Sequence, residues 1–162
     1  MYAKKGNKYL DKKYQTEKVM KFIRTPPDLW EQLNKEFSFT LDSCSSDKNH
    51  LCEKYYTEHT NGLIHSWENE IVYCHPMYDR HLPKWVKKCS TEKCVSVMLL
   101  PASTHTKYFH DFCYNKPNCE IRFLPNIHKN GKSGYFMGTD DGEIQEGKTG
   151  YIRPLMILIF RN

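Results

Sequence analysis

Two short polar segments hold the residues with the widest chemical repertoire, Asp42-Ser43-Cys44 and His75-Pro76-Met77-Tyr78. Each follows β-prone residues, Phe39-Thr40-Leu41 before the first and Glu70-Ile71-Val72-Tyr73-Cys74 before the second. Ligands of an open α/β sheet lie beyond the carboxyl ends of its strands, so both segments are expected on one edge. Asp42, read as the last residue of its strand, either faces a ligand there or caps the following turn. His75 offers an acceptor nitrogen while neutral and none once protonated, a change expected near the ordinary imidazole pKa of about 6.5. Pro76 has no backbone donor and interrupts ladder pairing, so a loop starts at His75-Pro76.

Other chemistries find little support. No G-x-G-x-x-G occurs, which argues against a dinucleotide cradle. The seven cysteines are an odd number spread over a long stretch and read as reduced thiols. Eight histidines accompany them, but C-x-x-C and H-E-x-x-H are missing, so no metal site is expected.

The elements that must position these segments follow from periodicity. Thr25-Pro26-Pro27-Asp28 supplies a cap residue and prolines suited to a first helical turn. Leu29, Trp30, Leu33 and Phe37 then mark a helix ending near Glu36. Tyr55-Tyr56-Thr57 reads as a short strand, Asn61-Gly62 as a turn, and Pro83 to Cys89 as a helix. Cys94 to Pro101 is continuously apolar, as in a central strand covered on both faces. Thr104 to Tyr114 has helical spacing, and Glu120 to Leu124 and Leu155 to Phe160 are strands. The alternation predicts one α/β domain with a largely parallel sheet. Residues 126–150, rich in Gly, Asp, Lys and Asn, predict a long exposed loop or hairpin.

The 162 residues fit one domain. A basic N-terminal arm over residues 1–21, with Lys4, Lys5, Lys8, Lys12 and Lys13, precedes the domain at 22–162. Net charge is +5, from 24 Lys+Arg against 19 Asp+Glu, compatible with a polyanionic partner. No apolar run approaches the roughly 18 residues a membrane span needs, so a cytoplasmic protein is expected.

Several segments between Thr25 and Phe123 together resemble the phage-type DNA adenine methyltransferase family. They are Thr25-Pro26-Pro27-Asp28-Leu29-Trp30, Leu33 through Cys44, Asn61-Gly62-Leu63 with Trp67, Val72 through Tyr78, Lys84-Trp85-Val86, Leu99-Leu100-Pro101-Ala102 with Thr104, Thr106-Lys107, Phe109 and His110, and Glu120-Ile121-Arg122-Phe123. The resemblance implies a Rossmann-like fold with helices on both faces of the sheet. It also implies S-adenosylmethionine as methyl donor and methylation of the exocyclic amine of adenine, flipped out of double-stranded DNA. On these positions it makes His75, Pro76 and Tyr78 catalytic. Thr25, Pro26, Asp42, Ser43, Cys44 and Asn61 become cofactor contacts, with Asn61 where the family commonly has an acid.

The family's catalytic tetrapeptide reads Asn or Asp, Pro, Pro, aromatic, whereas this chain has His75 and Met77 at the first and third places. The alternative expectation is therefore a homologue with impaired catalysis that binds nucleic acid, cofactor or protein. Arg80, Lys84, Lys87 and Lys107, on or after strand-end loops, are the expected phosphate contacts.

Overall fold

The first ordered turn is built from prolines. In the computed structural model, which describes residues 24–125, 128–129, 132–133 and 153–162, helix α1 spans Pro27–Phe37. Pro27 sits at the helix start, where its missing N–H costs nothing, and the Pro26 carbonyl accepts the Trp30 N–H at 2.9 Å. The helix stops at Ser38, which has φ 56° and returns its N–H to the Asn34 carbonyl. The Asn34 side chain accepts the Phe39 N–H at 3.0 Å.

That side-chain bond makes Phe39 part of the helix exit, so strand β1 begins later than the residue types suggest, at Leu41–Ser45. Asp42 is therefore the second residue of β1 and not its last, and Ser43 and Cys44 belong to the strand. The remaining elements follow the expected order. They are β2 (Lys54–Thr57), a 3-10 turn (Gly62–Ile64), β3 (Ile71–Cys74), helix α2 (Leu82–Thr91), β4 (Val95–Pro101), helix α3 (Lys107–Phe112), β5 (Cys119–Phe123), β6 (His128–Lys129), β7 (Lys132–Ser133) and β8 (Leu155–Arg161).

Six strands form one mixed, mostly parallel sheet in the order β2-β1-β3-β4-β8-β5. The β2–β1, β1–β3 and β3–β4 pairs are parallel, and β8 lies antiparallel between β4 and β5. Successive residues of β4 and β8 point to opposite faces. Val97, Leu99, Ile157 and Ile159 pack with Leu29 and Leu33 of α1. Met98, Leu100, Met156, Leu158 and Phe160 pack with Leu82 and Val86 of α2 and Tyr108 and Phe109 of α3. Helices thus cover both faces, which explains why β4 and β8 read as unbroken apolar runs.

All seven cysteines are free thiols. Among the described residues no helix is long and apolar enough to cross a membrane. The basic arm at 1–21 lies outside the described residues. So does most of 126–150, where β6 and β7 form a short antiparallel hairpin.

A candidate active site at the ends of β1 and β3

One cleft of about 800 Å³ opens along the sheet edge where β1 and β3 end. Asp42, Cys44 and Ser45 line it from β1, and Ser46, Asp47, Asn49 and Leu51 from the loop that follows. Thr57, Glu58, His59, Asn61 and Leu63 contribute from the end of β2 and the 3-10 turn. Tyr73, His75, Pro76, Met77, Tyr78 and Asp79 come from β3 and its loop, Arg24 and Thr25 from the approach to α1, and Lys84 and Trp85 from α2.

The wall at residues 57–63 is held by a close approach. A Cβ on Gly62 would sit 2.2 Å from the Ser43 carbonyl oxygen, so only glycine lets the 3-10 turn lie against β1. Behind it the fully buried Trp67 donates its indole N–H to the Gly62 carbonyl at 3.0 Å. Glu92 accepts the Trp67 backbone N–H at 2.7 Å and pairs with Lys88, whose ammonium lies over the Trp67 ring.

His75 stands at the centre of a hydroxyl network. Its Nδ1 lies 3.0 Å from Thr25 Oγ1, which is 2.6 Å from the Tyr73 hydroxyl. Its Nε2 lies 2.8 Å from the Tyr78 hydroxyl, and that hydroxyl donates to the Leu99 carbonyl at 3.3 Å. The ring keeps some surface at the cleft but is otherwise enclosed by protein, and burial pushes its pKa down to about 4. The titration near 6.5 expected from the ordinary imidazole value is thus corrected. His75 is neutral throughout the physiological range.

Asp42 is 3% exposed. Its carboxylate accepts the Leu51 N–H at 3.0 Å and the Cys44 N–H at 3.4 Å. Burial raises its pKa to about 6 and outweighs those two bonds, which favour the charged form. Near neutral pH the cleft therefore holds a costly buried carboxylate, which a cationic ligand group would stabilise. Burial likewise pushes the Cys44 thiol far up, so it is not a thiolate nucleophile.

The family model described as DNA N-6-adenine-methyltransferase (Dam) matches residues 13–162, nearly the whole chain. The chain belongs to the Dam family. A DNA N-6-adenine-methyltransferase of Escherichia phage T1 is 31% identical over 90 residues, which are 52% of this chain and 37% of the phage protein. The match thus spans well under half the length of that relative.

In this Dam-family chain the residues singled out from sequence divide into two groups. Thr25, Asp42, Cys44, Asn61, His75, Pro76, Tyr78 and Lys84 line the one cleft, although Thr25 and His75 are 50 positions apart. The others do not line it. Pro26 is buried at the start of α1, and Ser43 is fully buried with its hydroxyl donating to the Tyr73 carbonyl at 3.1 Å. Arg80 and Lys87 are exposed outside the cleft, and Lys107 on α3 pairs with Asp111 at 2.7 Å. The cap residue of α1 is Pro26, with no side-chain bond, so Thr25 does not cap the helix, and its hydroxyl lies 3.0 Å from His75 Nδ1. Sequence reasoning missed Tyr73, Arg24, Asp47, Asn49 and Asp79 as lining residues. For Tyr73 a signal existed, since its place directly before Cys74-His75 puts a hydroxyl-bearing ring at the strand end.

Proposed function

We propose that this Dam-family chain transfers the methyl group of S-adenosylmethionine to the exocyclic amine of adenine in DNA, within a Rossmann-like fold. The observation that carries the reading is the convergence of Asp42 and the His75-to-Tyr78 loop on one cleft. Its volume suits a small-molecule cofactor site.

The residues fit the cofactor in one testable respect. S-adenosylmethionine carries an ammonium and a sulfonium, and Asp42 is a buried carboxylate that lacks a cationic partner strong enough to keep its pKa low. Asp42, Thr25, Cys44 and Asn61 are the residues that would hold the cofactor, with Pro26 and Ser43 fixing the backbone around them. The cofactor supplies an electrophilic methyl group. On the protein side the need is for hydrogen-bond acceptors around the target amine, because its lone pair is shared with the adenine ring until acceptors pull the nitrogen toward tetrahedral geometry. His75 and the Pro76 carbonyl are the acceptors, and Tyr78 is the aromatic face for a base taken out of the helix. Positioning and fixed dipoles then carry the catalysis. Lys84, at the cleft, and Arg80, beside it, contact the phosphates of the duplex, with Lys107 farther out.

A second reading, a fold that binds cofactor or nucleic acid without transfer, is favoured by a specific observation. Both ring nitrogens of His75 already have hydroxyl partners within the protein. Calorimetric titration with S-adenosylmethionine and labelled methyl transfer to unmodified duplex DNA test the two readings together. The methyltransferase reading expects binding and incorporation at adenine. Binding without incorporation selects the second reading, and no binding rejects both transfer and the cofactor-binding form of the second reading.

A further inference from the structure

The hydroxyl network around His75 has a direction. A carbonyl oxygen has no proton, so the 3.3 Å contact between Tyr78 and Leu99 uses the Tyr78 O–H. With that proton committed, the 2.8 Å contact between Tyr78 and His75 is a hydrogen bond only if Nε2 carries a proton. In a neutral ring Nδ1 is then bare, and it accepts the Thr25 hydroxyl at 3.0 Å. The Thr25 oxygen in turn accepts the Tyr73 O–H at 2.6 Å. This arrangement makes hydrogen bonds of all four contacts, and the burial that pushes His75 to a pKa of about 4 keeps the ring neutral.

Its consequence is that His75 shows the cleft no free lone pair. Nδ1 accepts from Thr25, and Nε2 is a donor. With the proton on Nδ1 instead, the ring donates to Thr25, Thr25 donates to Tyr73, and the single Tyr78 proton has to serve either Nε2 or Leu99. One contact is then lost unless another donor reaches Nε2. An adenine amine is such a donor.

We infer that the Tyr78 hydroxyl is a tautomer lock, holding the His75 proton on Nε2 so that a target amine gains its acceptor only by displacing that hydroxyl. The displacement step rests on the methyltransferase reading above, whereas the lock itself does not. On displacement one proton leaves Nε2 for solvent in the cleft and one joins Nδ1, so the ring is neutral before and after. Tyr78 then keeps its bond to Leu99 and offers only its aromatic face. In this role Tyr78 is a positioning residue acting through His75.

The test is ¹⁵N NMR of the full chain labelled at histidine, at pH 7, with the His75 signals assigned by their loss in His75→Gln. The wild type is expected to carry its proton on Nε2 with a bare Nδ1. Tyr78→Phe, which keeps the aromatic face, moves the proton to Nδ1. Thr25→Val, which leaves Tyr78 in place, keeps it on Nε2 and serves as the second variant if Tyr78→Phe fails to fold. A wild-type proton on Nδ1, an unchanged tautomer in Tyr78→Phe, or loss of the Nε2 proton in Thr25→Val overturns the lock. In labelled methyl transfer, Tyr78→Phe should be faster by roughly three- to ten-fold, the range for removing one competing neutral hydrogen bond. Slower or equal transfer overturns the displacement step. If neither protein transfers methyl, the methyltransferase reading fails and the spectra alone decide the lock.

Discussion

Asp42 and His75 face the same cleft with opposite titration shifts. Asp42 moves from 3.8 to about 6, so between those values the folded state binds more protons than the unfolded chain, and stability falls as pH rises. His75 moves from 6.5 to about 4, so there the unfolded chain binds more, and stability falls as pH drops. Each shift corresponds to about 3 kcal/mol, and the two slopes oppose each other from about pH 4 to 6. Glu36, Glu70, Glu92 and Glu120 are held below 4.5 by hydrogen-bonded partners and act mainly below that pH. Urea unfolding should therefore show a nearly level wild type between pH 4.5 and 6.5. Asp42→Asn unmasks the histidine slope and should be more stable at pH 6.5 than at 4.5 by about 2 kcal/mol. A level profile for Asp42→Asn would refute the histidine assignment. For the same reason His75 contributes no fall in activity between pH 5.5 and 8. The identity of His75 and Asp42 was legible from their places after β-prone runs. Their protonation was not, because it is set by burial, which only the folded chain creates.

Among the elements, the apolar stripes were the legible part. Leu29 and Leu33 at helical spacing gave α1, and the unbroken runs of β4 and β8 gave strands covered on both faces. The start of β1 was not legible, because Asn34 takes the Phe39 N–H and converts a β-prone residue into a helix exit. The antiparallel insertion of β8 between β4 and β5 was hidden too, since a buried strand has the same apolar pattern in either direction. Asn61-Gly62 announced a turn, yet only the fold shows that the glycine is required by the Ser43 carbonyl. Gly62→Ala should push the 3-10 turn off β1, lowering stability by about 1–3 kcal/mol in thermal or urea unfolding. It should weaken S-adenosylmethionine binding along with it, since Asn61 and Leu63 line the cleft. A variant as stable as the wild type would show that the turn is free to shift.

At the scale of the whole molecule, the cleft lies at the carboxyl ends of β1 and β3, the edge at which open α/β sheets hold ligands. The excess positive charge is modest, so DNA contact should depend on placement more than on total charge. Lys84 lines the cleft, whereas Lys107 is ion-paired with Asp111. Lys84→Ala is expected to reduce the slope of log binding constant against log salt by about 1, and Lys107→Ala by less. Equal effects would place the duplex more broadly across this edge. The central claim is that the cleft transfers methyl to adenine although His75 replaces the amide or acid of the family's tetrapeptide. Labelled methyl transfer from S-adenosylmethionine to unmodified duplex DNA, followed by nucleoside analysis of the product, addresses it most directly. The account predicts label in N6-methyladenine, and its disappearance when Asp42 is changed to Ala. Calorimetric binding of S-adenosylmethionine with no labelled base after prolonged incubation would contradict it.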